Sequence, residues 1–80
     1  MRVHIEKRVI GENMRPPHAA AYLGVSKSFL DQARVRGNGP AFVKVSPTMV
    51  IYRRHDLDAW LASRVVRSTT EAERLLTASE

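Results

Sequence analysis

The side chains with the clearest chemical capacity lie together in Ser26-Lys27-Ser28-Phe29-Leu30-Asp31-Gln32-Ala33-Arg34-Val35-Arg36. The Gln32 amide donates and accepts at once, as pairing with the edge of an adenine requires. Asp31 can accept from the amino group of a cytosine, and the Ser26 and Ser28 hydroxyls can bond a base or a phosphate. Lys27, Arg34 and Arg36 supply cations within the same stretch. Lys44, Arg53 and Arg54 add more further along, with Thr48 between them. Cations neutralise phosphates and carry affinity, while amides, carboxylates and hydroxyls at base edges carry specificity. Each residue alone is an ordinary solvated side chain; as a set they point to duplex DNA.

Other chemistries find little to work with. The chain has no cysteine, so neither a disulfide framework nor a thiolate metal site is available. His4, His18 and His55 are far apart and lack a close acidic partner in a zinc-ligand pattern. Asp56 and Asp58 are two apart, so on a helix they point to different sides. Complementing a helix dipole explains them better than catalysis. With no glycine-rich phosphate loop and no nucleophile motif, the expectation is a protein that is not an enzyme and needs neither metal nor cofactor. No apolar run approaches the roughly 20 residues that span a bilayer. The start Met1-Arg2-Val3-His4-Ile5-Glu6 lacks the apolar stretch of a secretory signal. A soluble, cytoplasmic protein is expected.

The net charge of +5 is unevenly distributed. Residues 1–67 hold twelve Lys and Arg against five Asp and Glu, whereas residues 68–80 hold one Arg against three Glu. A basic body with an acidic tail favours a polyanionic partner.

At 80 residues the chain has room for one small core, and its elements must set the candidate residues on one surface. Residues 1–15 form a segment left open, in which Val3, Ile5, Val9 and Ile10 could make a short strand. Pro16-Pro17 predicts a helix start and Gly24 its end. Ser26 is a good N-cap for a second helix from Lys27 to about Arg36, ended by Gly37 and the breaker run Asn38-Gly39-Pro40. Leu30 and Ala33, with Val25, should pack on Ala20 and Leu23. That leaves Ser28, Asp31, Gln32 and the edge position Val35 on the other side, flanked by Lys27 and the Arg34 and Arg36 stems. Strands over 41–45 and 49–53 joined by Ser46-Pro47-Thr48 predict a hairpin. A third helix should begin near His55, with Leu57, Trp60, Leu61 and Val65 as a buried stripe. Residues 68–80 offer a capping box of Thr70 with Glu73 and are compatible with a short fourth helix, which would need Leu75 and Leu76 covered.

Two helices joined by Gly24-Val25-Ser26, the second polar on its outer side, meet the requirements of a helix-turn-helix. The run Ala20-Ala21-Tyr22-Leu23-Gly24-Val25-Ser26, then Arg36-Gly37-Asn38-Gly39-Pro40, then Tyr52-Arg53-Arg54-His55-Asp56-Leu57-Asp58-Ala59-Trp60-Leu61 resembles the small winged-helix family of phage excisionases and AlpA-like regulators. That family shares its architecture with the MerR DNA-binding domain. His55 stands where the family usually has a small hydroxyl residue, which weakens the cap of the third helix. The resemblance implies an α+β winged helix-turn-helix over 16–67, with three helices and a two-stranded β-hairpin wing. It also implies an excisionase, or recombination directionality factor, which binds adjacent sites cooperatively, bends DNA and assists a phage integrase in excision. An AlpA-like or MerR-like transcriptional regulator shares this fold, and a protein-interaction adaptor is the reading from another class. Lacking a coiled coil for dimerisation, copies are expected to meet head to tail on DNA. Residues 1–15 and 68–80 are the segments free to supply that contact.

Overall fold

Pro16 and Pro17 open helix α1 (Pro16–Leu23), where a missing N–H costs nothing. The computed structural model describes residues 12–79. Gly24 closes α1 with φ +81°, in the left-handed region open to glycine. The next N–H, of Val25, reaches back to the Ala20 carbonyl at 3.0 Å. Helix α2 (Lys27–Arg36) starts two residues later, its N-cap Ser26 accepting through Oγ from the Phe29 N–H at 3.0 Å. Gly37 ends it in the same left-handed manner, with φ +83°. These boundaries agree with those read from the sequence.

Three antiparallel strands follow the order β1-β3-β2, with β1 at Asn13–Met14, β2 at Val43–Ser46 and β3 at Met49–Arg53. β1 comes from the segment that the sequence left open. It places Asn13 opposite Arg53 and Met14 opposite Tyr52, and the Arg54 N–H donates to the Glu12 carbonyl beyond it at 2.7 Å. The strand expectation for Val3, Ile5, Val9 and Ile10 lies outside the described residues. The β2–β3 hairpin turns at Pro47-Thr48, with Ser46 Oγ accepting from the Thr48 N–H at 3.3 Å. A register shift falls between Lys44 and Ser46. β2 begins two residues later than the sequence suggested. Phe42 stops short of pairing and sets its ring 6.1 Å from that of Tyr52.

Helix α3 (Arg54–Ser63) follows β3 directly, with Arg53 as an N-cap that makes no side-chain cap bond. The cap expected at His55 is thus found two residues earlier, at Arg53, with His55 inside the first turn. The buried core is Met14, Ala19, Ala20, Leu30, Ala33, Tyr52 and Leu57, with Tyr22, Leu23, Val25 and Val50 packed against it. The expected four-residue stripe on the third helix requires correction. Leu57 is fully buried, Trp60 is half-buried, and Leu61 and Val65 are 39 % and 74 % exposed. The helix ends at Ser63, so Val65 lies past its last turn. Trp60 instead donates its indole N–H to the Asn38 carbonyl at 3.1 Å, with the Arg64 guanidinium 5.4 Å from its ring centre. Tyr22 fixes α3 to α1 by donating its hydroxyl to Asp58 at 2.6 Å. Asp58 thus joins two helices, while Asp56 occupies the first turn.

Helix α4 (Thr69–Ser79) is a full element. Its cap is Ser68, whose Oγ accepts from the Glu71 N–H at 3.1 Å, while Glu71 accepts from the Arg67 N–H at 2.9 Å. The expected box of Thr70 and Glu73 is thus displaced two residues towards the N-terminus, because Ser68 offers the same serine-to-glutamate spacing earlier. Among the described residues there are four helices and three strands: the three expected helices and two-stranded hairpin, the fourth helix for which residues 68–80 left room, and the added strand β1, all within the same α+β class. None of the helices among the described residues is long and apolar enough to cross a membrane.

Leu57→Ala should cost about 2 to 5 kcal/mol, the range for truncating a buried leucine. Val65→Ser should stay within about 0.5 kcal/mol, as an exposed position allows. Denaturant midpoints of the two variants give the comparison, and similar losses would place Val65 in the core.

Candidate nucleic-acid interface

Turning 100° per residue, α2 sends Leu30 and Ala33 into the core and so must send Ser28, Gln32 and Val35 the opposite way. All three are exposed, as is Arg36 beside them. Ser28, Gln32 and Arg36 make no side-chain hydrogen bond or ion pair with other described residues. Gln32, Val35 and Arg36 line a shallow depression with Asp31.

The flank of α2 nearest the sheet is organised differently. Asp31 accepts from Lys27 at 2.7 Å through one oxygen and from Arg34 at 3.1 Å through the other. Arg34, with its side chain only 23 % exposed, also donates to the Tyr52 hydroxyl at 3.0 Å. Bonding to Lys27 first, and to Arg34 as well, holds the Asp31 carboxyl below the usual carboxylate range. Of the site residues read from the sequence, Asp31 and Arg34 are engaged within the protein, and Ser26 is engaged as a cap. Lys27 is paired yet exposed.

The remaining cations lie on the sheet and its exit. Lys44 donates to the Pro47 carbonyl at 3.1 Å across the hairpin turn, which places its charge beside exposed Thr48. Arg53 pairs with Asp56 at 2.7 Å, and Arg54 with Glu12 at 3.1 Å. The Arg53 guanidinium lowers the Asp56 carboxyl. The Arg54–Glu12 pair is exposed on both sides, so water screens it and it costs little to exchange for another anion, whereas exposed Arg53 meets an Asp56 carboxylate that is only 13 % exposed.

On its opposite flank α2 borders a cavity of about 190 Å³ lined by Phe29, Gln32, Arg36, Trp60, Arg64 and Leu76 among others. Sequence reasoning placed Leu76 in a tail of uncertain role. Leu76 in fact stands beside the candidate helix and remains 52 % exposed. His18 and His55 are exposed, and no cluster of metal-ligating side chains occurs among the described residues.

Arg34→Ala strips the buried Tyr52 hydroxyl of its partner, a loss of about 1 to 3 kcal/mol. It should lower Tm by several degrees, whereas Arg36→Ala should leave Tm unchanged. Equal Tm values for the two variants would show that Arg34 anchors nothing. The depressed Asp31 and Asp56 carboxyls add stability that is present above the unfolded value near pH 4 and disappears as pH falls through their lower folded values. Asp31→Asn should therefore flatten the acid limb of a Tm–pH profile, and an unaltered limb would contradict its ion pairs.

A scan of protein-family models found no match for this chain, and a search of curated proteins found no significant relative.

Proposed function

We propose that this chain is a winged helix-turn-helix protein that binds duplex DNA sequence-specifically. It inserts α2 into a major groove and sets the β2–β3 hairpin against the adjoining backbone. The observation that carries this reading is the outward face of α2, where Ser28, Gln32 and Arg36 keep their hydrogen-bonding capacity free beside an inner flank locked to the sheet. A helix pre-positioned in this way reaches a base edge without first breaking internal bonds. Gln32 is the base reader, and Ser28 bonds a base or a phosphate. Lys27, Arg36, Lys44, Arg53 and Arg54 meet phosphates, with Thr48 at the hairpin tip beside them. Ser26, Asp31 and Arg34 act through α2 by capping and bracing it.

One such domain touches few base pairs. Useful specificity then calls for several copies side by side and for deformation of the DNA between them. This suits an excisionase acting with a phage integrase, a role that rests on the resemblance of the Ala20–Ser26, Arg36–Pro40 and Tyr52–Leu61 runs. Residues 1–15 and 68–80 are the segments left to meet a neighbouring copy head to tail.

Titration of labelled duplex at several salt concentrations tests the reading. Affinity should fall steeply with salt, and Arg36→Gln should reduce the slope of log K against log salt by about 1. Gln32→Ala should cost about 1 to 3 kcal/mol on the preferred site and little on random duplex. Salt-independent binding, or none to any duplex, would refute DNA binding. Equal losses on both duplexes would remove Gln32 as a base reader.

A further inference from the structure

Val35 is 84 % exposed, the most open of the large apolar side chains among the described residues. Nothing in the packing calls for it. A β-branched residue is a poorer helix former than alanine, and its side chain points away from Leu30 and Ala33. Val35 shares its face with Ser28, seven residues earlier, and with Gln32, three residues earlier. It also lines the depression that Gln32 and Arg36 border. Two branched methyl groups thus lie beside a free amide and a free guanidinium.

We propose that Val35 packs on the 5-methyl group of a thymine in the major groove, so that it and Gln32 together select A·T pairs. This deepens the DNA-binding reading and rests on it. The major-groove edge of an A·T pair offers the matching chemistry: an adenine N6 amino group and N7 acceptor for an amide, and a thymine methyl for an apolar side chain. A G·C pair has no methyl group there. Three residues of helix rise about 4.5 Å, close to the roughly 3.4 Å between successive bases. Gln32 and Val35 therefore reach the same or neighbouring base pairs, and Arg36 is left to the phosphate beside them. A protein partner would also cover Val35, but a free amide and a cation flanking one small apolar side chain fit a base edge with its phosphate better.

The test uses the full chain and a duplex selected by it from a randomised pool. Each thymine of that duplex is replaced in turn by deoxyuridine, which removes only the methyl group. Deoxyuridine at one or two positions should weaken binding about four-fold, the worth of one buried methyl(ene) group. Val35→Ser, checked for unchanged circular dichroism, should bind the thymine duplex as weakly as wild type binds the deoxyuridine duplex, and should no longer distinguish the two. Indifference of the wild type to every replacement would overturn the assignment while leaving DNA binding intact. So would a penalty retained in Val35→Ser. A wild-type chain that selects no duplex would fail earlier in the same experiment and would remove the DNA-binding reading along with this one.

Discussion

From within the core, the Tyr52 hydroxyl accepts a hydrogen bond from Arg34 at 3.0 Å, and that contact ties α2 to the central strand. Tyr52 is wholly buried and pairs with Met14 of β1 in the central strand. Its ring packs in the core with Leu30 and Leu57. A phenol so deeply placed must have a partner for its oxygen, and the guanidinium that meets this need belongs to the helix that carries the candidate reading face. Arg34 then holds Asp31, which holds Lys27. The burial of Leu30 and Ala33 sets the rotation of α2 about its own axis, and the bond to this one hydroxyl adds a polar tie in the same orientation.

That rotation divides the charges of α2 into two groups. Those facing the sheet neutralise one another at short range and hold the helix still, with the carboxylate of Asp31 shared by two cations. The Arg36 side chain, facing outward, is bonded to no other described residue and is therefore available. Past the sheet, Arg54 pairs with exposed Glu12, while Arg53 pairs with Asp56, whose side chain is only 13 % exposed. Because exposed pairs are worth little, Arg54 remains exchangeable in a way that Arg34 is not. Burial therefore separates the bracing Arg34 from the exposed cations, although all carry the same formal charge.

Much of this was legible in the sequence because the signals were local. The prolines, Gly24, Ser26 and Gly37 are backbone statements with a physical meaning of their own, and they placed α1 and α2 correctly. What escaped was non-local. No local pattern shows that Arg34 reaches Tyr52, eighteen positions away, or that Asp58 accepts from Tyr22 on another helix. The stripe of Leu57, Trp60, Leu61 and Val65 has helical spacing, but periodicity records which residues share a face and not how far that face extends under the core. Here it ends near Trp60, whose indole N–H is used at the rim. The serine-to-glutamate spacing occurs at Ser68 as well as near Thr70, and only the fold distinguishes which serves as the cap.

One face of α2 is braced by the core, and the opposite face is the one we propose for DNA. Amide and side-chain NMR shifts of the full chain, followed during titration with duplex, address it most directly. The account predicts that the largest changes fall at Ser28, Gln32, Val35 and Arg36 and at the Lys44–Thr48 turn, with the Tyr52 ring signals nearly still. Changes centred on α4 or on Tyr52, or none at saturating duplex, would contradict it.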